Sequence, residues 1–346
     1  MTLTSRFRTF GCITCLVDPA AVLPQTSALR VLNSLHESGA SRARNENQYA
    51  RQLSETALSP VPNPRAKHRP DGHQPGLFSM SERVLDLQGL TRRFGAFTAV
   101  DAVTLSVNAA EVFGLLGSNG AGKTTTIKML TTLLPPSSGE AHVAGFSITT
   151  QAVDVRRSIG YVPQAVSVDG SLTGYENLLI FAKLYDLPRR EQKARIQEAL
   201  EFMNLTADGN RMVNEYSGGM VRRLEIAQST LHRPQVLFLD EPTVGLDPIA
   251  RDAVWKHLVD LRKNYRTTLF FTTHYLEEAQ QYCDRIAIMH LGKVAAMGTS
   301  QELESSLGGG PHTLNDVFVH YAGSALDSGG TFRDVSSERA TALRLG

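Results

Sequence analysis

Gly117-Ser118-Asn119-Gly120-Ala121-Gly122-Lys123-Thr124 is the stretch that most constrains the fold. It fits G-x-x-x-x-G-K-[ST], a loop whose backbone amides converge on phosphate oxygens. The flanks agree with that reading. Residues 112–116 (VFGLL) read as a short buried strand. Ile127, Leu130 and Leu134 then recur at helical spacing until Pro135-Pro136 stops the helix. Strand, glycine loop and helix place the N–H groups of a helix start against an anion, and glycines let the backbone approach closely. Lys123 is then positioned to reach the terminal phosphates of a nucleoside triphosphate, and the Thr124 hydroxyl to ligate Mg²⁺. The plainer alternative is a glycine-rich turn with no ligand, which the strand-and-helix context disfavours.

The rest of the composition is that of a globular protein. The 346 residues are 42% hydrophobic and 20% charged, with a formal net charge of +1. That length allows a full core and two subdomains. A near-neutral balance gives no reason to invoke nucleic acid. No apolar run approaches the ~20 residues needed to span a bilayer, so a membrane role would have to pass through a partner. Three cysteines are too few for a disulfide framework. Cys12 and Cys15 form a C-x-x-C without βαβ context, and zinc there would need further ligands. Cys283 reads as a small packed side chain.

Residues 1–79 are rich in Ser, Arg, Asn and Pro and read as a disordered or loosely structured extension, with at most a short helix around 29–35. The apolar stretch 10–17 is signal-like after Arg6 and Arg8, but Asp18-Pro19 cuts it short. Met80 opens the patterned region and is a candidate natural start. Strands are expected at 84–90, 98–107, 112–116, 141–148, 236–239, 268–273 and 285–289. Helices are expected at 176–185, 189–203, 217–231, 248–264 and 275–283. Such alternation implies a parallel-rich α/β sheet, interrupted by a helical block. The last ~25 residues, Gly/Ser-rich, are expected to fray.

Three further stretches carry chemistry. Strand 236–239 ends in Asp240-Glu241-Pro242, which delivers two carboxylates where a P-loop ATPase needs them: Asp240 for Mg²⁺, and Glu241 to orient and deprotonate a water. The competing reading is a pair of solvated loop acids. Thr272-Thr273-His274 ends a strand expected beside 236–239, where His274 could meet a γ-phosphate. Ser217-Gly218-Gly219 starts a helix with two glycines, each costing about 1 kcal/mol relative to alanine, so close backbone approach to a second phosphate is a reason for them. Asp247-Pro248 makes a helix start that needs no catalytic explanation.

Taken together, GSNGAGKTT, YVPQ (161–164), YSGGMVRRLEIA (216–227), VLFLDEPTVGLDP (236–248) and TTHYLEEA (272–279) resemble the nucleotide-binding subunit of an ATP-binding cassette (ABC) transporter. Within that superfamily they are similar to the daunorubicin-resistance type of drug-exporter ATPase. The resemblance runs from residue 84 to about 320, some two thirds of the chain. It implies an α/β P-loop ATPase core sheet with an inserted helical subdomain (about 165–232) and an antiparallel β subdomain. The ATPase domain would span 80–308, with a tail at 309–346.

By that resemblance, Gly117, Ser118, Asn119, Gly120, Ala121, Gly122, Lys123, Thr124 and Thr125 hold ATP, and Phe94 stacks on adenine. Thr124, Gln164 and Asp240 serve Mg²⁺. Glu241, His274 and Gln164 serve hydrolysis. Ser217, Gly218 and Gly219 contact the ATP of a second protomer in a head-to-tail homodimer, with Asp247 near the crossing. A separately encoded integral membrane permease is the implied partner, and the implied location is the cytoplasmic face of the membrane. Phe94 stands where Tyr is usual, which keeps the π-face. Tyr216 and Met220 replace the commoner Leu and Gln of the signature, and Ser118 a frequent Pro. The expected task is export of a hydrophobic drug or lipid. An importer ATPase, or a soluble ABC ATPase acting on ribosomes or nucleic acid, are the alternatives.

Overall fold

The computed structural model describes residues 83–308 and 310–323. The N-terminal extension, the short helix expected at most around 29–35, the Cys12–Cys15 pair, the signal-like stretch and the candidate start at Met80 lie outside the described residues, as does the chain beyond 323.

Arg83–Phe94 (β1) and Phe97–Asn108 (β2) form an antiparallel hairpin, after which Val112–Leu116 (β3) enters a second sheet. Lys123–Leu130 (α1) follows the glycine loop. Ser138–Val143 (β4) returns antiparallel to β1, and Phe146–Ser147 (β5) completes the order β2-β1-β4-β5. One strand was expected across 141–148. Ala144 and Gly145, at φ +52° and +82°, break it into a tight hairpin. Helix α1 also ends before Pro135-Pro136: Thr132 at φ +62° has already left the helix.

The second sheet collects strands far apart in sequence. Ala152–Ser158 (α2) leads into Ile159–Val162 (β6). Gly174–Leu184 (α3), Arg189–Phe202 (α4) and Gly218–Thr230 (α5) make the helical block. Val236–Asp240 (β7), Pro248–Tyr265 (α6), Thr268–Thr273 (β8), Leu276–Tyr282 (α7), Arg285–His290 (β9) and Lys293–Gly298 (β10) follow. The order is β10-β9-β3-β8-β7-β6, parallel except for the edge strand β10. Ser300–Ser305 (α8) and Leu314–Gly323 (α9) pack beyond β9, through Leu303, Leu314 and Val317. Helix α9 thus lies inside the segment expected as a tail.

Strands β3, β7 and β8 are buried along their whole length. Both faces of a parallel sheet are covered, so VFGLL, VLFLD and TLFFTT are continuous apolar runs rather than alternating ones. Alternate residues divide between two cores. Phe113, Phe238 and Phe270 face the antiparallel sheet and α1, while Leu237, Leu239 and Phe271 face the helical block and α6. On the second side Trp255 is fully buried, stacked on Tyr282 at 4.2 Å and edge-on to Phe271 at 4.8 Å. Gly114 is required by the same packing, since a Cβ there would stand 2.5 Å from Cys283 Sγ. Cys283 is accordingly a packed thiol whose pKa burial raises.

The helical block is fixed at its ends. Thr173 caps α3 in a reciprocal pair with Glu176, its Oγ1 accepting from Glu176 N at 3.2 Å and its N–H donating to Oε2 at 2.9 Å. At the other end His232 stacks on Tyr185 at 3.8 Å, and its Nε2 lies 2.9 Å from Ile159 O at the start of β6. Burial pulls the His232 pKa from 6.5 down to about 4. Below pH 6.5 the unfolded chain takes up a proton that the folded ring refuses, so stability falls as the pH drops from 6.5 towards about 4. Urea midpoints followed by far-UV circular dichroism are expected to show a shallower acid loss in His232→Phe. Equal slopes in the two proteins would rule this out.

Candidate functional site

The site lies at the carboxyl ends of β3, β7 and β8, where parallel-sheet proteins place their ligands. From β3 the chain enters the glycine loop. Gly122 sits at φ +107°, and a Cβ on it would stand 2.5 Å from Ala99 O; at Gly117 it would stand 2.5 Å from Met289 O. The loop is also tied to the β9–β10 turn by Gly292 N–H, which donates to Ala121 O at 2.9 Å. Ser118, Asn119 and Gly120 are exposed at its tip. A closely packed glycine loop with an exposed tip at a helix start is the kind of backbone turn that can receive an anionic phosphate.

Lys123 opens α1 and is only 4% exposed. Its ammonium donates to Gly117 O at 2.7 Å and Ser118 O at 3.1 Å, and stands 3.3 Å from Glu241 Oε1. Burial lowers its pKa, while Glu241 and Asp240 oppose that shift. Asp240, the last residue of β7, accepts from Thr124 Oγ1 at 3.1 Å and from Thr272 Oγ1 at 2.6 Å. Burial raises the Asp240 carboxyl, and the neighbouring Glu241 adds to the effect. Thr124 and Asp240 together present oxygen donors only, which fits a hard cation such as Mg²⁺.

Glu241 leaves the strand in a left-handed backbone conformation, φ +49°. Such a residue costs about 1 kcal/mol or more and persists only where its surroundings impose it. Here its N–H donates to Thr272 O at 3.2 Å and to Thr272 Oγ1 at 3.0 Å. The carboxylate receives Gln164 Nε2 on Oε2 at 3.2 Å. Besides Lys123, His274 Nδ1 approaches Oε1 to 3.4 Å without the alignment of a hydrogen bond. That His274 nitrogen is buried and has no hydrogen-bond partner, a group that awaits one.

Lys123, Thr124, Gln164, Asp240, Glu241 and His274 are therefore brought together. The other expected residues are placed elsewhere. Ser217 Oγ caps α5, accepting from Met220 N at 3.3 Å, and Asp247 caps α6, accepting from Ala250 N at 2.9 Å. Gly219 has a packing reason of its own, because a Cβ would stand 2.9 Å from Ala250 Cβ; Gly218 is exposed. Phe94 ends β1, 37% exposed, with the Arg92 guanidinium 4.7 Å over its ring. Thr125 is half-buried in the first turn of α1.

Two parts of the site went unread in the sequence. Thr272 bridges Asp240 and the Glu241 amide; its only signal was a hydroxyl at a buried strand end. Arg222 donates to Pro163 O at 2.8 Å and Gln164 O at 3.3 Å, while its partner Glu225 accepts from Ser167 N at 2.6 Å. The segment bearing Gln164 is so bound to helix α5.

Comparison with known proteins agrees with this geometry. The ABC transporter family matches residues 100–244. The chain is 43% identical over 230 residues to the daunorubicin resistance ATP-binding protein DrrA3 of Streptomyces coeruleorubidus, covering 66% of this chain and 72% of that protein. It is 39% identical over 226 residues to the linearmycin resistance ATP-binding protein LnrL of Bacillus subtilis, covering 65% and 72% respectively. Among solved structures, the ATP-binding subunit of an ABC transporter superposes with a TM-score of 0.62 at 29% identity, over 69% of this chain and 99% of that one.

The glycine loop makes a direct prediction. Gly122→Ala should weaken binding of a fluorescent ATP analogue by more than about tenfold, since the left-handed backbone and the Ala99 carbonyl both oppose a side chain. Unchanged affinity in a folded variant would contradict the assignment.

Proposed function

Because the chain belongs to the ABC transporter family of ATP-binding proteins and hydrolyses ATP, we propose that it works as a homodimer that energises export of a hydrophobic compound through a separate membrane subunit. The observation that carries the catalytic part is the convergence of Lys123, Gln164 and His274 on one carboxylate, that of Glu241.

In this reading Lys123 exchanges its loop carbonyls for terminal phosphate oxygens, and the glycine-loop amides hold the rest of the triphosphate. Phe94 stacks on the adenine. Thr124 and Asp240 would hold Mg²⁺, with Gln164 close by; the ion, when bound, would neutralise charge on the phosphate oxygens. Glu241 accepts a proton from the attacking water as its oxygen bonds to the γ-phosphorus and the bond to the ADP oxygen breaks. His274 supplies its free nitrogen to the γ-phosphate. Catalysis then rests on positioning and electrostatics.

Ser217 caps its own helix and Gly219 packs on Ala250, and we assign Ser217, Gly218 and Gly219 a use in trans. They would close on the ATP of a second copy, with Asp247 beside the crossing. Ile249, 83% exposed two residues on, suits burial in that contact. Hydrolysis removes the bridging phosphate and favours the open form. No described helix is long and apolar enough to cross a membrane. The relatives, ATP-binding proteins of drug resistance, support a separate permease met at the cytoplasmic face of the membrane. The choice of a drug-like cargo follows the names of the relatives, the daunorubicin and linearmycin resistance proteins.

Two substitutions test this. Glu241→Gln should lower turnover at least about a hundredfold while one ATP per protomer stays bound. Ser217→Arg should abolish hydrolysis yet leave ATP binding by monomers intact. Normal ATPase activity in the first, or lost monomer binding in the second, would overturn the roles given. Cargo is tested by purifying the chain with its membrane subunit and measuring drug-stimulated ATPase activity.

A further inference from the structure

Glu278 belongs to none of the groups just described, yet it is among the most buried carboxylates of the described residues, 3% exposed on helix α7. Its Oε2 accepts from Thr273 Oγ1 at 2.9 Å. Its Oε1 accepts from Thr243 Oγ1 and lies 3.7 Å from Arg251 Nε. Burying a carboxylate is costly unless it is paired, and an apolar side chain of similar volume would often serve packing as well. What an apolar side chain lacks is two acceptor oxygens for hydroxyls on two separate strand ends.

Those two strand ends carry the catalytic cluster. Thr243 lies inside the turn that begins at Glu241, closed by Val244 N–H donating to Glu241 O at 3.3 Å. Glu241 enters that turn at φ +49°, a conformation that needs external restraint. Thr273 immediately precedes His274, and its Oγ1 also accepts from Tyr275 N at 3.0 Å, so the turn around His274 is tied through the same hydroxyl. Arg251 adds a third element. It stands in the first turn of α6, its N–H bonded to Asp247 O at 2.9 Å, and its guanidinium lies 4.5 Å over the Tyr275 ring. A single carboxylate so joins the Glu241 turn, the His274 turn and the start of α6.

We propose that Glu278 is a positioning residue for hydrolysis, holding the turns of Glu241 and His274 in register with each other and with the Asp247 end of α6. The inference rests on the ATPase roles given to Glu241 and His274. Its effect is on geometry at the reacting atoms, with nucleotide binding left to the glycine loop and Lys123.

The test uses the full-length chain and ATP·Mg²⁺, with steady-state kinetics of wild type, Glu278→Gln, Thr243→Val, Thr243→Ser, the double variant Thr243→Val/Glu278→Gln and Glu241→Gln. Thr243→Val removes one hydrogen bond at nearly constant volume; Thr243→Ser keeps it. Misplacement of reacting groups by a fraction of an ångström predicts a kcat loss of about tenfold in Glu278→Gln and Thr243→Val, with KM for ATP within about twofold of wild type. Thr243→Ser should stay within about twofold of wild-type kcat, and the double variant Thr243→Val/Glu278→Gln should be no worse than the poorer single one. Unchanged kcat in the folded Thr243→Val protein, or an equal loss in Thr243→Ser, overturns the proposal. If Glu278→Gln fails to fold, the Thr243 pair decides alone. A wild type without turnover, or a fully active Glu241→Gln, would instead bring down the underlying ATPase roles, and the two failures are told apart in one experiment.

Discussion

The site depends on one carboxylate with three suitors. Glu241 is approached by a buried ammonium, an amide and an imidazole, each delivered by a different part of the chain: Lys123 from the helix after β3, Gln164 from the segment after β6, and His274 from the end of β8. None of these groups has any local reason to meet the others. They meet because β3, β8, β7 and β6 lie side by side and in parallel, so that their carboxyl ends open on the same edge. The two-sided burial of those strands is therefore a functional requirement as well as a source of stability. A register slip of one residue in β7 would exchange the Glu241 and Asp240 environments and send Phe238 to the wrong core.

The helical block enters this arrangement by holding the backbone of the segment that bears Gln164. Arg222 and Glu225, both buried on α5, grip the segment 163–167 from two sides. Gln164 is thereby attached to the helix that begins at Ser217. In the proposed function, a rigid-body movement of the block would carry Gln164 with it and so join a membrane subunit to the reaction centre. His232, stacked on Tyr185 and bonded to β6, marks the opposite end of that block.

Much of this was legible in the sequence. Strand, glycine loop and helix were readable because glycine, lysine and threonine at fixed spacing have few other uses together. Strand β7 was readable because an apolar run ending in Asp-Glu is unusual. What was hidden is what depends on distant contacts. The left-handed Ala144–Gly145 step that splits one strand into two has only a glycine to announce it. The role of Thr272, between Asp240 and the Glu241 amide, appears only once β7 and β8 are paired. The sequence reads Gly219 as an opening towards phosphate; the structure gives it a packing reason, since it lets α5 pass against Ala250.

In the proposed cycle ATP itself is the bond between two copies, made when it binds and cut when it is cleaved. Sedimentation velocity on the hydrolysis-deficient Glu241→Gln protein measures this most directly. With Mg²⁺ and ATP it should sediment as a dimer, and with Mg²⁺ and ADP as a monomer. A single species of unchanged size with both nucleotides, also when the membrane subunit is present, would rule out an ATP-bridged dimer.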